Sequence, residues 1–210
     1  MSKNIFIAIE GIDGSGKSTQ LRLLAEKIIE LGSPVYATHE PTAGIIGQLI
    51  RDILQGNITF DHLTIASLFV ADRLDHILNT NDGMLSKIQS GNVVITDRYY
   101  FSSYAYHGVH VDLDWIIAAN SMSAQLMKPD LHIFIDVPAE ESMNRIHKNR
   151  KETEFFESLS NLKKVREKYF EVFDKLSNSE QILIIDGTSS IDKIHEMIWG
   201  RVRNLLNNSL

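Results

Sequence analysis

Five short apolar runs punctuate this chain, at Ile5–Ile9, Val35–Thr38, Val93–Thr96, Leu131–Ile135 and Ile182–Ile185. Each is brief, rich in β-branched residues and apolar on both faces, the pattern of parallel strands covered by helices on either side. Stretches of helical spacing separate them: Leu21, Leu24, Ile28 and Leu31 follow the first run, and Leu162, Val165, Tyr169, Val172, Phe173 and Leu176 precede the last. The alternation predicts an α/β fold, a five-stranded parallel sheet with helices on both faces. Gly32-Ser33-Pro34 reads as a helix stop before the second strand. With no internal repeat, low-complexity tract or proline-rich linker, residues 1–210 are expected to form a single domain.

Composition narrows the functions. A chain of 210 residues with 43% hydrophobic content can bury one sizeable core. A net charge of −6, with both signs mixed along the chain, argues against a polymeric nucleic acid partner. The absence of cysteine excludes disulfides and thiolate metal sites. The first apolar run is cut off by Glu10 and Gly11, too short for a signal peptide or membrane span. A cytoplasmic protein with no membrane partner is expected.

That first run leads directly into Gly11-Ile12-Asp13-Gly14-Ser15-Gly16-Lys17-Ser18, followed by Thr19 and a helical pattern. This is GxxxxGK[ST] between a predicted strand and a predicted helix, the context that makes it a phosphate loop. Glycines let successive N–H groups turn inward around an oxyanion, and the helix start adds partial positive charge. Lys17 is expected to reach the β- and γ-phosphates of ATP, and Ser18 to ligate Mg²⁺. Asp97 ends the third run, where an acid at the carboxyl end of a parallel strand faces the ligand crevice. It is the candidate second ligand for Mg²⁺, with a helix N-cap as the alternative role. Arg98 beside it suits a second anionic phosphate held in line with the first. The implied chemistry is phosphoryl transfer between two bound nucleotides.

The motifs "EGIDGSGKSTQ", "HEPTAGIIGQLIRDIL", "LFVADRLDH", "DRYYFSSYAYHG", "LDW", "KPDL", "FIDV" and "FFESLSNLKKVREKY" occur in that order over nearly the whole chain. In this combination the sequence resembles the thymidylate kinases, P-loop enzymes that pass the γ-phosphate of ATP to dTMP. The resemblance implies a P-loop kinase fold with a short lid at about residues 145–157, dTMP as small-molecule acceptor, and a homodimer. Phe69 and Arg73 are four apart on one predicted helix face and can reach the same pocket. In the family the aromatic stacks on thymine and the arginine bonds its carbonyl edge, whereas Phe69 without that resemblance reads as ordinary core. Asp13 matches the acid that approaches the acceptor's sugar and phosphate, and Arg51 and Arg98 match the arginines that grip that phosphate. Arg51 by itself also reads as a solvated helix residue. Glu40 and Pro41 match the loop after the second strand, and Ser102 and Ser103 the segment lining base and sugar. Tyr106 matches the residue that crowds the 2′ position, a buried tyrosine being the other reading.

Three departures from the family pattern stand out. "EPGG" is "EPTA", which introduces Thr42, and "AYQG" is "AYHG", which puts His107 where a base-side glutamine is frequent. In the lid, "DRFE" becomes Glu154-Phe155-Phe156-Glu157, so the customary arginine is absent, and the phosphate-loop position where other members carry one is Gly14. The basic segment Arg145 to Lys151 is the candidate source of the missing cation, although it also reads as a solvated helix end. Arg150 is expected to supply the charge, because arginine bridges two phosphate oxygens where Lys148 or Lys151 offers a point charge. Arg145, earlier on the helix, is expected to lie near the adenine. Two other readings remain: a kinase for another nucleoside monophosphate, such as dUMP, and a P-loop nucleotide switch without transfer activity.

Overall fold

All five apolar runs are strands, and each strand ends one residue later than its run, on a polar side chain that still joins the ladder. A computed structural model describes residues 5–149, 155–156 and 158–207. The strands are β1 (Phe6–Glu10), β2 (Val35–His39), β3 (Val93–Asp97), β4 (Leu131–Asp136) and β5 (Ile182–Asp186). All pair in parallel, in the order β2-β3-β1-β4-β5. The carboxyl edge of the sheet therefore carries His39, Asp97, Glu10, Asp136 and Asp186 side by side. The helices are α1 (Lys17–Glu30), α2 (Ile45–Leu54), α3 (His62–Leu78), α4 (Met84–Gln89), α5 (Tyr100–His107), α6 (Leu113–Ala119), α7 (Ser121–Leu126), α8 (Ala139–Asn149), α9 (Leu159–Leu176) and α10 (Ile191–Asn207).

The period-two alternation of the central strands divides the apolar interior into two cores. Ile5, Ile7 and Ile9 face Leu24 and Ile28 of α1 and Ile194, Ile198 and Val202 of α10. Phe6, Ala8, Val94 and Phe134 face α5 and the Leu162, Val165, Tyr169, Val172 and Phe173 stripe of α9. Between them α5 is buried at every one of its positions, so its sequence reads apolar and hydroxyl-bearing all round instead of amphipathic. The strand expectation needs one correction: the edge strands β2 and β5 are not buried on both faces, and Ile184 is 48% exposed. Having a neighbour on one side only leaves part of each uncovered. Leu31 likewise lies on the surface, because α1 has already ended at its C-cap.

This topology builds the crevice. α1 leaves β1 toward one face of the sheet while α5 leaves β3, its direct neighbour, toward the other, so the chain parts above the carboxyl ends of β1 and β3. The chain after β2 is held over that opening by α2 and α3. α2 packs so closely that a Cβ on Gly47 would sit 2.0 Å from the Thr42 carbonyl oxygen. Backbone cannot yield there as a flexible side chain would. Gly47→Ala should cost about 1–3 kcal/mol of stability through overpacking, measured by urea unfolding; a cost below ~0.5 kcal/mol would show that α2 is not braced on this loop.

Candidate active site

The phosphate loop folds as its glycines require. Gly14 and Gly16 have φ of +75° and +97°, left-handed values that L side chains rarely adopt, and α1 starts directly after Gly16. The Ser15 N–H bonds the Ile12 carbonyl at 3.2 Å, and the same carbonyl accepts from Lys17 Nζ at 3.0 Å. Gly11, Ile12 and Ser15 form the buried underside of the loop; a Cβ on Gly11 would lie 2.8 Å from the Ile135 carbonyl oxygen of β4. Asp13, Gly14, Gly16, Lys17, Ser18 and Thr19 face an open cleft of about 520 Å³. Lys17 is 6% exposed. Burial, and next the Arg98 charge, push its ammonium down to about 8, a position that an oxyanion between the two cations would relieve. Ser18 Oγ donates to Asp97 Oδ2 at 2.6 Å. Two hard oxygens so placed, beside a cleft shaped for phosphates, suit a small divalent cation whose remaining ligands are phosphate oxygens and water. No cluster of three or more acidic or histidine side chains among the described residues offers an alternative.

A second cavity, of about 190 Å³, opens on the other side of Asp13 and Arg98. Its walls include Pro41, Phe69, Ser102, Ser103, Tyr106 and His107, all expected from the sequence, together with Leu54 and Phe156, which were not. Asp13, Glu40 and Arg98 line both spaces. Arg98 is the one described non-glycine residue with positive φ, +73°. Its guanidinium bonds the Gly11 carbonyl and Ser102 Oγ, each at 3.2 Å, ion-pairs with Asp13, and lies 4.8 Å above the Tyr106 ring. Tyr106 Oη donates to Asp13 Oδ2 at 2.8 Å and accepts the Asp13 N–H at 3.0 Å. Burial alone would raise the Asp13 carboxyl, but Arg98 and then Lys17 outweigh it and hold it below the usual range.

Arg73 is 1% exposed and nearly saturated by protein. Its Nε and Nη2 donate to Glu40 Oε2 at 2.9 and 2.6 Å, and its Nη1 donates to Ser103 Oγ and Asn120 Oδ1. Of five guanidinium protons, one on Nη2 is left for the cavity. Glu40 Oε1 bonds His76, which reaches on to Thr38. Asp72 takes both the N–H and the hydroxyl of Thr42, at 2.8 and 2.6 Å, so the threonine that departs from the familiar loop is tied down by α3. His107 packs its ring 4.9 Å from Phe69; burial, then the charges of Arg73, His62 and His110, push its imidazole down to about 3, so it faces the cavity neutral. The structure does not bring Arg51 into the cavity: its Nη1 donates to the carbonyls of Pro41 and Thr42, where it braces the loop. Arg150 lies outside the described residues.

A family model described as "Thymidylate kinase" matches residues 9–198. A protein of Pyrococcus horikoshii named "Probable thymidylate kinase" is 38% identical over 210 residues, covering 97% of this chain and 98% of its own. Proteins of the same name from Thermococcus gammatolerans and Methanocaldococcus jannaschii are 39% and 36% identical, covering 94% and 98% of this chain and 95% and 99% of their own. The chain belongs to the thymidylate kinase family.

In this thymidylate kinase fold α8 leaves little room for a side chain at Gly14 of the phosphate loop. A Cβ on Gly14 would lie 2.8 Å from the Ser142 carbonyl oxygen of α8 and 3.1 Å from Ile146, and Ser142 Oγ bonds the Asp13 carbonyl. α8 thus sits directly on the loop. Arg145 lines the phosphate cleft and is bonded to Glu141 Oε1 at 2.9 Å and the Gly187 carbonyl at 3.0 Å. Phe155, in place of the lid arginine, donates its N–H to the Leu54 carbonyl at 2.9 Å, and Phe156 buries its ring against Tyr106 and His107. Of the two aromatics, Phe156 is a wall of the second cavity, while Phe155 is half exposed outside it. An aromatic doublet in an otherwise polar stretch was the available signal for it.

Glu10 was also missed, read only as the polar residue that cuts off the first apolar run. It is fully buried and accepts from the Tyr99 N–H at 3.0 Å, Ser102 Oγ at 2.6 Å and Tyr169 Oη at 3.1 Å. Desolvation outweighs these bonds and the Arg98 charge, and pushes the carboxyl up from 4.5 to about 7. A carboxyl that holds its proton more tightly folded than unfolded loses stability as pH rises between those two values, by an amount on the order of 3 kcal/mol. Glu10→Gln should remove that slope and unfold at a higher temperature than the parent at pH 8, but not at pH 4.5, by calorimetry at both. Equal destabilisation at both values would contradict the buried-charge account.

Proposed function

We propose that this protein transfers the γ-phosphoryl group of ATP to dTMP, giving ADP and dTDP. The observation that carries the reading is the pair of cavities, one on the phosphate loop and one lined by aromatic and hydroxyl side chains, sharing the wall of Asp13, Glu40 and Arg98. A switch that only binds ATP has no use for the second. An oxygen of the acceptor phosphate, already ionised near neutral pH, attacks the γ-phosphorus; that O–P bond forms as the bond to the β–γ bridging oxygen breaks, and the electron pair leaves with ADP. No general base is required, so catalysis is alignment and charge neutralisation. Lys17 and the phosphate-loop N–H groups hold the donor. Arg98 holds the acceptor phosphate, Phe69 stacks on the base, and the free Nη2 proton of Arg73 meets its carbonyl edge. Ser18 and Asp97 would hold Mg²⁺, which when bound would supply positive charge to offset that of the phosphates.

The neutral imidazole at His107 favours keeping a second reading of the acceptor, another pyrimidine deoxynucleotide, because that ring and Arg73 leave few donors facing the base. We further infer one domain over residues 1–210 with its lid near 145–157, and a homodimer, for which exposed Leu63, Leu78, Trp115 and Met122 on α3, α6 and α7 supply apolar surface. Among the described residues no helix is long and apolar enough to cross a membrane, and a cytoplasmic setting fits that reading.

Steady-state turnover with ATP and a panel of monophosphates tests the assignment: dTMP should be the preferred acceptor, and Lys17→Ala should lower turnover by at least a hundredfold. Preference for dUMP would replace the acceptor; no turnover with any monophosphate would overturn the reading. Arg150→Ala should lower kcat strongly with the apparent affinity for dTMP nearly unchanged, the signature of an interaction made in the transition state. If Arg145→Ala shows that pattern and Arg150→Ala does not, the lid cation is Arg145.

A further inference from the structure

Arg98 must keep an L side chain in the left-handed region, with φ at +73°, a conformation that persists only where the surroundings over-determine it. Three main-chain bonds bracket it. Its N–H donates to the Ile9 carbonyl at 2.9 Å, its carbonyl accepts from Thr96 Oγ1 at 2.9 Å, and the next N–H, of Tyr99, donates to Glu10 Oε1 at 3.0 Å. The first two are made by the neighbouring strand and by the residue two before it. The third comes from a side chain that is fully buried.

The same carboxylate also reaches the other end of the arginine. Glu10 Oε2 accepts from Ser102 Oγ at 2.6 Å, and Ser102 Oγ in turn accepts from Arg98 Nη1 at 3.2 Å. Tyr169 Oη, from α9, donates to Glu10 Oε2 at 3.1 Å and approaches Ser102 Oγ at 2.8 Å. One carboxylate thus fixes the main chain just after Arg98 and, through one hydroxyl, its guanidinium. Burial works against this group, pushing its carboxyl up to about 7. A purely structural position would be better served by an uncharged side chain, because a buried carboxylate with no direct cation partner carries a desolvation cost.

We propose that Glu10 is a positioning residue for phosphoryl transfer: its buried carboxylate holds Arg98 in its left-handed conformation and aims the guanidinium, through Ser102, at the acceptor phosphate. This rests on the reading that Arg98 grips the acceptor phosphate. Glu10 lines neither nucleotide cavity, so its main route to the reaction is through Arg98. In Glu10→Gln the amide oxygen still receives the Tyr99 N–H. The amide nitrogen, however, donates to Ser102 Oγ where the carboxylate accepted, and competes there with Arg98.

The experiment is a double-mutant cycle of Glu10→Gln with Arg98→Ala, read by initial rates at pH 8 and by thermal unfolding. Glu10→Gln should lower kcat/KM for dTMP about tenfold with KM for ATP within twofold of the parent, in a protein no less heat-stable. In the Arg98→Ala background it should have no further effect. Ser102→Ala, which cuts the link to the guanidinium and leaves the carboxylate, should lower kcat/KM for dTMP three- to tenfold. Independent, multiplying losses in the cycle, parallel losses for ATP and dTMP, or a Glu10→Gln variant within twofold of the parent would overturn the positioning role. Arg98→Ala with near-parental turnover would overturn the reading of Arg98 itself, a result distinguishable because it does not depend on Glu10.

Discussion

The ion pair of Asp13 and Arg98 is the contact on which the two halves of the site depend. Asp13 belongs to the phosphate loop at the end of β1, and Arg98 follows the end of β3, its neighbour in the sheet. Their union is the partition between the donor cleft and the acceptor cavity. Because both strands are buried inside the sheet, the partition is anchored on the core of the fold. Two anions brought to one wall would repel; the wall itself supplies the opposing charge. An acceptor phosphate at Arg98 would compete with Asp13 for the guanidinium, so binding on one side is felt in the loop on the other.

A buried polar network serves the acceptor cavity differently. Glu40, Arg73, His76, Ser103 and Asn120 satisfy one another away from water, and such a set is costly unless complete. Its completeness has a consequence for recognition. Arg73 cannot swing to meet varied ligands, since four of its five protons are committed, and it presents one fixed donor. With His107 neutral and packed on Phe69, the cavity offers shape and stacking and few polar contacts, which suits a flat, methyl-bearing base whose polar edge is short.

The sheet and the donor side were legible in the sequence because their signals are local. β-branched runs fix strands, and glycines at set spacing fix a loop whose function is carried by backbone N–H groups; neither needs knowledge of distant partners. The acceptor side was legible in part. Phe69 and Arg73 meet the same cavity because helical spacing puts them on one face, but no spacing could tell that Asn120, on a different helix, takes up part of Arg73. Arg51 matches a phosphate-gripping cation through its neighbours in sequence, and no spacing could tell that it also bonds carbonyls 9 and 10 residues away. Glu10 was invisible for the opposite reason, since a polar residue ending a strand reads as the edge of the run and not as the centre of a network.

The lid is where local reading ends, and geometry narrows it from another direction. Family members set the transition-state cation either in the phosphate loop or in the lid. Here α8 rests on the loop, with the Ser142 carbonyl and Ile146 filling the space over Gly14, so no side chain fits there unless α8 moves. Phe156 lines the acceptor cavity, while Phe155, half exposed, donates its N–H to the Leu54 carbonyl. The basic stretch proposed as the source of the charge begins on the last turns of α8. Arg145, its first cation, is already bonded to Glu141 and to the Gly187 carbonyl beyond β5, so recruiting it to the transferred group would break two contacts.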